Sequence, residues 1–248
     1  MSHPLAIVMA AGKGTRMESD LPKVLVPACG RPLVEYVLDA LADAQVRDAI
    51  VVVGYRADDV RNALSDREQL RFAEQTEQLG TGHAVQMCVP MLKDHDGPIL
   101  VLTGDSPMTQ ADSLRQLLDR YEADRPACIL GTLIKDDPTG LGRIVRDESG
   151  KFTEIVEEKD ATEEQRAIQE VNMSTYVFDG PELLDSLSQL RNDNQQGEYY
   201  ITDCPGILKA AGKQVEALPV LKPCEALSVN NMADLRVVED QLKRRDMV

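Results

Sequence analysis

The 248 residues include no tryptophan, and aromatic residues make up 4% of the chain. Such a sequence offers few rings on which single-stranded bases could stack. Positive charge is also short: 27 Lys and Arg stand against 42 Asp and Glu, for a net charge of −15. A chain this acidic is repelled by nucleic-acid backbones and anionic membrane surfaces, so no nucleic acid and no membrane is expected as a partner. Histidine occurs three times, as His3, His83 and His95, at scattered positions. The five cysteines, Cys29, Cys88, Cys128, Cys204 and Cys224, are widely spaced and form no C-x-x-C pair. Neither a zinc centre nor a disulfide framework is indicated. No apolar run approaches the roughly 20 residues of a membrane span. The opening MSHPLAIVMAAGKGT carries no basic leader, and its apolar stretch is broken at Gly12 and Lys13. These absences point to the cytoplasm. Any phosphate the protein handles must be met by a few local cations, backbone N–H groups or a divalent metal.

What remains suits layered α/β structure. Hydrophobic residues are 43% and charged residues 28% of the chain, an ordinary globular balance. Leu5 to Met9, Ala49 to Val53 and Pro98 to Thr103 are short branched runs flanked by Gly or polar residues, which predicts buried strands. Between the first two, Leu33, Val34, Val37, Leu38 and Leu41 share one helical face, with Arg31-Pro32 marking its start. Strand, helix and strand in that order predict a parallel unit with a right-handed crossover. Thr81 to Leu92 and Asp112 to Tyr121 predict further helices. From Ala127 the texture changes. Cys128 to Ile134 predicts a strand, Gly142 to Arg146 with Phe152 to Glu157 a hairpin about Glu148-Ser149-Gly150, and Val171 to Phe178 another strand. Pro181 to Leu190 and Tyr199 to Ala211 follow as helices, Val215 to Val220 as a late strand and Ala233 to Arg245 as a closing helix. No repeat, low-complexity tract or Pro/Ser linker divides the chain. The expected architecture is a Rossmann-like, doubly wound, mostly parallel α/β sheet in a single domain, 1–248. It has a regular half, 1–135, and a more irregular half, 136–248, that forms one wall of a cleft.

The strongest local signal is Ala10-Ala11-Gly12-Lys13-Gly14-Thr15-Arg16-Met17, directly after the first strand and followed by Pro22-Lys23. Gly12 and Gly14 let the backbone turn tightly and lay N–H donors against an anion, and Arg16 and Lys23 add cations a few residues on. This is a phosphate cradle in chemical terms. It is not a Walker A loop, because G-x-x-x-x-G-K-[ST] occurs nowhere in the chain. A nicotinamide-binding fingerprint, which Gly12-x-Gly14 alone would suggest, is opposed by Met17 standing where a third small residue belongs. Asp105, in Leu102-Thr103-Gly104-Asp105, lies just past a predicted strand, at the carboxyl edge where wound sheets bind ligands. A carboxylate there is a hard ligand for a cation such as Mg²⁺, and it is equally a common turn residue.

The glycine segment resembles the signature of sugar-phosphate nucleotidyltransferases. Further segments narrow the resemblance: Glu77-Gln78-Leu79-Gly80-Thr81-Gly82-His83-Ala84, Asp137-Pro138-Thr139-Gly140-Leu141-Gly142-Arg143, Ile155 to Thr162, Gln196 to Asp203, and Val229-Asn230-Asn231. Together these are similar to the uridyltransferase domain of the bifunctional N-acetylglucosamine-1-phosphate uridyltransferase/glucosamine-1-phosphate acetyltransferase family, from residue 5 to about residue 240. The resemblance implies a transferase that joins UTP and N-acetylglucosamine 1-phosphate into UDP-N-acetylglucosamine and pyrophosphate. It implies that Ala10, Ala11, Gly12, Gly14, Lys23, Gln75, Gln78, Gly80 and Thr81 bind the nucleotide, with Gln75 on the uracil. It implies that Thr103, Gly104, Gly142, Glu157 and Asn172 surround the sugar, that Asp105 and Asn230 hold Mg²⁺, and that Arg16 and Lys23 are catalytic. His83 is expected to be a packed or capping residue, and Tyr199-Tyr200 to pack on a helix face.

The sequence also departs from the family pattern. Thr103 stands where a Tyr is usual, and Met173-Ser174 replaces a Thr-Gly or Ser-Gly pair after Asn172. Both positions border the expected sugar pocket, which leaves open another sugar 1-phosphate as acceptor. A non-catalytic nucleotide-sugar sensor is the other alternative, opposed by the presence of Arg16, Lys23 and Asp105. No hexapeptide β-helix follows the matching region, so a monofunctional uridylyltransferase without acetyl transfer, monomeric or weakly associated, is expected.

Overall fold

Residues Leu5–Met9 form strand β1, whose successive side chains point to opposite faces. Leu5 and Ile7 join one buried apolar cluster, while Ala6 and Val8 join another. This computed structural model describes residues 3–17 and 19–244. After β1 come a single 3-10 turn at Lys23–Leu25, a two-residue ladder of β2 (Pro27–Ala28) with β3 (Arg31–Pro32), and helix α1 (Leu33–Asp43). There follow β4 (Asp48–Val53), α2 (Ala57–Ala63), β5 (Leu70–Glu74), α3 (Thr81–Gln86), α4 (Val89–Leu92), β6 (Pro98–Thr103), α5 (Ala111–Asp124) and β7 (Cys128–Ile134). The second half contributes β8 (Arg143–Arg146), β9 (Phe152–Val156), α6 (Glu163–Arg166), β10 (Glu170–Asp179), α7 (Gly180–Ser188), α8 (Asp203–Ala210) and β11 (Val215–Leu218). A 3-10 turn at Pro223–Ala226 then leads to α9 (Met232–Arg244).

The main sheet runs β11-β7-β10-β6-β1-β4-β5, with the β8–β9 hairpin attached through β10. β1 pairs in parallel with both β4 and β6, and β4 with β5, which gives the expected parallel crossovers. β10 enters antiparallel between β6 and β7, and β11 closes the far edge parallel to β7. The two faces carry separate helix layers. Ile50, Val52, Ile99 and Val101 pack with residues of α3, α4, α7 and α8, while Val51, Val53, Leu100 and Leu102 pack with α1, α2 and α5. Each such side chain buried in full is worth about 1.5–3 kcal/mol over leaving it in water, so the two faces together fix the layer order. A third cluster, including Met17, Leu33, Tyr36, Met108 and Val238, seats α9 over the β2–β3 ladder. Among the described residues no helix is long and apolar enough to cross a membrane.

Several elements differ from the sequence expectation, each for a local reason. The stretch Thr81 to Leu92 is two helices, because Pro90 brings no N–H and sits in the first turn of α4. The helix expected from Tyr199 begins at Asp203; Tyr199 instead lies in an irregular segment whose N–H donates to the Leu79 carbonyl at 2.8 Å and whose carbonyl accepts from Gly82 N–H at 2.7 Å. Tyr199-Tyr200 is therefore not a helix face. β11 stops at Leu218 because Pro219 follows. β5 and α2 have no counterpart in the sequence reading: β5 is a half-exposed edge strand without an apolar run, and α2 buries only Ala57 and Val60. The end of the closing helix at Arg245 lies outside the described residues.

α5 ends with Arg125 at φ +46°, its N–H reaching the Tyr121 carbonyl at 2.7 Å. This left-handed cap is one that glycine adopts without steric cost. Arg125→Gly should raise stability by about 0.5–1 kcal/mol. Urea denaturation of the two proteins measures it, and a loss of stability would contradict the cap.

Candidate functional site

The carboxyl ends of β1 and β6 lie side by side, and the loops that leave them frame an open cavity of about 440 Å³. Ala10 continues the β1 ladder by donating its N–H to the Val52 carbonyl at 2.9 Å, and its side chain is buried in the core rather than in the cavity. The chain then turns. Gly14 has φ +66°, and a Cβ there would meet Lys23 Cβ at 2.7 Å, so only glycine lets the loop close over the lysine stem. Gly12 has open space about it and lines the cavity with Gly14. Met17 N–H donates to the Gly14 carbonyl at 2.9 Å, and its buried side chain pins the loop. Arg16 is exposed on the cavity rim.

Lys23 reaches across the cavity floor. Its ammonium is ion-paired with Asp105 and donates to Asn230 Oδ1 at 2.8 Å. Asp105 follows Gly104, whose N–H donates to the Met9 carbonyl at 2.9 Å. Gly104 is a packing position: a Cβ there would meet Val24 Cγ1 at 3.1 Å, and the residue does not line the cavity. Thr103 does, with its hydroxyl 2.8 Å from that of Ser106. Asn230 is aimed by its own contacts, Nδ2 donating to Ser228 Oγ at 3.1 Å and the backbone N–H to Asp234 Oδ2 at 2.9 Å. Behind it, buried Glu225 accepts from Ser113 Oγ and from the Gln110 and Lys222 N–H groups, locking the C-terminal segment onto α5. Among the described residues no group of three or more His, Cys, Asp or Glu forms a metal cage. Two oxygens suit a hard divalent ion that otherwise keeps water and phosphate oxygens, and here the pair already accepts a cation, the Lys23 ammonium.

Gln75, at the end of β5, is 4% exposed and lines the opposite end of the cavity. Its Nε2 donates to the Gly80 carbonyl at 3.0 Å and lies 3.1 Å from His83 Nδ1. With both N–H bonds taken up, the amide oxygen is the atom left for a ligand. His83 thus orients a site residue, a function missed by the sequence reading of it as packing or capping. Gly80 has φ +108°, and a Cβ there would meet the Tyr199 carbonyl at 2.5 Å, so the following turn needs glycine. Thr81 Oγ1 accepts Ile201 N–H at 3.1 Å, and Gln78 Nε2 donates to the Ala11 carbonyl at 2.8 Å, tying this turn to the glycine loop.

Gly142, Glu157 and Asn172 form a second group away from the walls of that cavity. A Cβ at Gly142 would lie 3.5 Å from Glu157 Oε1 and 3.6 Å from Asn172 Cβ. Asn172 donates to buried Tyr176 Oη at 2.8 Å and accepts Ser174 N–H at 3.3 Å, so its amide is oriented from within the protein. The β10 register shifts between Asn172 and Thr175, and Ser174 sits there at φ +51°. Burial raises the Glu157 carboxyl above its ordinary pKa, opposed by a hydrogen bond to Thr202. Burial and the nearby Glu157, Asp193 and Asp160 push Asp203 up to about 6. Arg143, 1% exposed, pairs with Glu158 at 2.7 Å and fixes the Gly142 loop to the Glu157 segment. The sequence reading gave neither Arg143 nor Tyr176 a role of its own; both fall within predicted strands, Gly142 to Arg146 and Val171 to Phe178.

The sequence profile of the nucleotidyl transferase family matches residues 5–220. The bifunctional protein GlmU of Brevibacillus brevis is 46% identical over 247 residues, covering 100% of this chain and 53% of its own length. The same-named protein of Bacillus subtilis is 41% identical over 245 residues, covering 99% of this chain and 53% of its own. The chain thus spans about half the length of the curated relatives it matches. Among solved structures, UDP-glucose pyrophosphorylase complexed with UDP-glucose superposes with a TM-score of 0.80 at 18% identity, over 98% of this chain and 100% of that one. It has the same mixed α/β fold with a mostly parallel central sheet. Members of the matched family generally use a divalent metal. The chain belongs to the nucleotidyl transferase family.

Proposed function

We propose that the chain transfers the uridylyl group of UTP to N-acetylglucosamine 1-phosphate, releasing pyrophosphate and forming UDP-N-acetylglucosamine, with Mg²⁺ as the metal. The observation that carries this reading is one cavity bounded by three kinds of group. These are a glycine loop with Arg16, an amide at Gln75, and Lys23 set on Asp105 and Asn230. The likeness to the GlmU proteins over the whole chain supports the choice of nucleotide and sugar.

The acceptor phosphate is anionic at neutral pH, so it needs no general base to attack the α-phosphorus, and catalysis reduces to positioning and charge neutralisation. The Gln75 oxygen accepts the imide N–H of uracil, and His83 keeps the amide turned that way. Backbone N–H groups of the Gly12–Gly14 loop hold the phosphates. Arg16, exposed at the rim, meets the charge that develops on the departing pyrophosphate. Lys23 binds the phosphates between which the bond forms. Mg²⁺ on Asp105 and Asn230 would add positive charge against the same oxygens when bound. Glu157 and Asn172 take the sugar hydroxyls beside the Gly142 N–H. A different sugar 1-phosphate is the second reading, favoured by Thr103 at the cavity wall and by Ser174 in the β10 bulge.

Incubating the protein with UTP, Mg²⁺ and N-acetylglucosamine 1-phosphate should yield pyrophosphate and the UDP-sugar. Absence of both removes the proposal, and product from another sugar 1-phosphate alone selects the second reading. Arg16→Ala should keep the fold and lower kcat by about 10²–10³-fold, the usual effect of one charge-stabilising group. Near-wild-type turnover would show that Arg16 stands outside the chemistry. The raised pKa of Asp203 makes a further prediction about stability. A carboxyl held near 6 when folded, against about 4 when unfolded, contributes stability fully below pH 4 that is lost as pH rises through 6. Asp203→Asn should therefore match wild type at pH 4 and exceed it in urea resistance at pH 7.5; equal curves at both pH values would refute the shift.

A further inference from the structure

The two oxygens that would hold a divalent ion, Asp105 Oδ2 and Asn230 Oδ1, are both engaged by one ammonium, that of Lys23. The Lys23 stem packs against Gly14, where a Cβ would fall within 2.7 Å of it, so the same side chain starts beside the phosphate-cradling loop. An ammonium is a compact charge on a flexible four-carbon stem, and it moves between neighbouring anions without any change in the backbone. Both side chains of the ion pair are largely screened from solvent, Lys23 at 16% and Asp105 at 20% exposure. In a chain of net charge −15, a bare carboxylate at the floor of an open cavity would attract any passing cation.

We propose that Lys23 is a place-holding cation. In the substrate-free protein it occupies the Asp105–Asn230 pair and keeps divalent metal out, and it yields that pair when its ammonium transfers to the phosphates of an incoming nucleotide. The proposal rests on Asp105 and Asn230 being the metal pair of the function proposed above. It goes beyond that reading by giving Lys23 two successive partners and the metal an order of entry. Nucleotide supplies the anion that draws the lysine away, and the vacated oxygens then accept the metal. Because coupling between ligands is reciprocal, metal occupancy in turn favours the lysine position that holds nucleotide.

The test needs no substrate. Mn²⁺ alone is titrated into the substrate-free protein and followed by electron paramagnetic resonance, with circular dichroism to verify folding. Lys23→Met keeps the apolar stem against Gly14 and removes the charge, and Lys23→Gln is a second variant with a polar end. Both should bind Mn²⁺ about tenfold more tightly than wild type, the scale set by losing one partly buried competing ion pair. Asp105→Asn in the Lys23→Met background should abolish the gain. Unchanged or weaker Mn²⁺ binding in the folded Lys23 variants would overturn the proposal, as would a gain that survives Asp105→Asn. Failure of the transferase reading shows up separately, as an inactive wild-type protein with UTP and sugar phosphate, whatever the metal titration gives.

Discussion

One ion pair brings the site together. Lys23 comes from the loop after β1, Asp105 from the end of β6, and Asn230 from the segment before α9, so one ammonium joins residues 207 positions apart in sequence. Each partner is held by its own element. Gly104 bonds back to β1 through the Met9 carbonyl, Val229 N–H reaches the Asp105 carbonyl at 3.3 Å, and Glu225 fastens the C-terminal segment to α5. The sheet places β1 next to β6, but the sheet alone does not bring Asn230 there. That requires the third apolar cluster under α9 and the buried Glu225 contacts.

The acidity of the chain gives this pair its weight. In the proposed reaction a protein at −15 would meet a triphosphate and a sugar phosphate against its own long-range field, which salt reduces but does not reverse. Compensation is therefore local and short-ranged. At the cavity the positive charge comes from Lys13, Arg16 and Lys23 beside the glycine loop, to which the divalent ion of the proposed reaction would add. Several other cations are committed elsewhere. Arg31 and Arg67 are paired on α1, Arg120 with Glu216, Arg143 with Glu158 and Arg146 with Glu170, so they stabilise surfaces and loops and leave the cavity to its own few charges.

Much of this arrangement was legible in the sequence where one physical signal dominated. The buried parallel strands were written as short branched runs, and β1, β6 and β7 match their expected ranges to the residue. The glycine loop was equally plain, because Gly14 is required by a close approach that no other residue tolerates. What escaped was structure set by tertiary contacts. β5 is a strand because β4 offers an open edge, since its own five residues carry little apolar content. Tyr199 is held out of a helix by backbone bonds to Leu79 and Gly82, more than a hundred residues earlier. His83 and Tyr176 orient Gln75 and Asn172 through single hydrogen bonds, and no periodicity or composition reveals a pairing of that kind.

The β10 bulge separates the part of the strand that pairs with β6 from the part that carries Asn172 toward Gly142. Tyr176 to Asp179 pair with β6, whereas Glu170 to Asn172 pair with the far end of β7, and Val171 also meets β8 at Arg143. The register shift between Asn172 and Thr175 falls where β10 leaves β6. Extra residues at a bulge bend a strand and re-aim its side chains. Here the bend frees the carboxyl end of β6 for Gly104 and Asp105 and turns Asn172 toward Gly142 and Glu157. The bulge must accommodate a left-handed residue, which for Ser174 carries a steric cost that glycine would not have. That cost is offset by what surrounds it, since Ser174 N–H is held by Asn172 Oδ1 and Asn172 by fully buried Tyr176. Met173-Ser174 thus lies in the bulge itself, where the Ser174 N–H donates to Asn172 Oδ1.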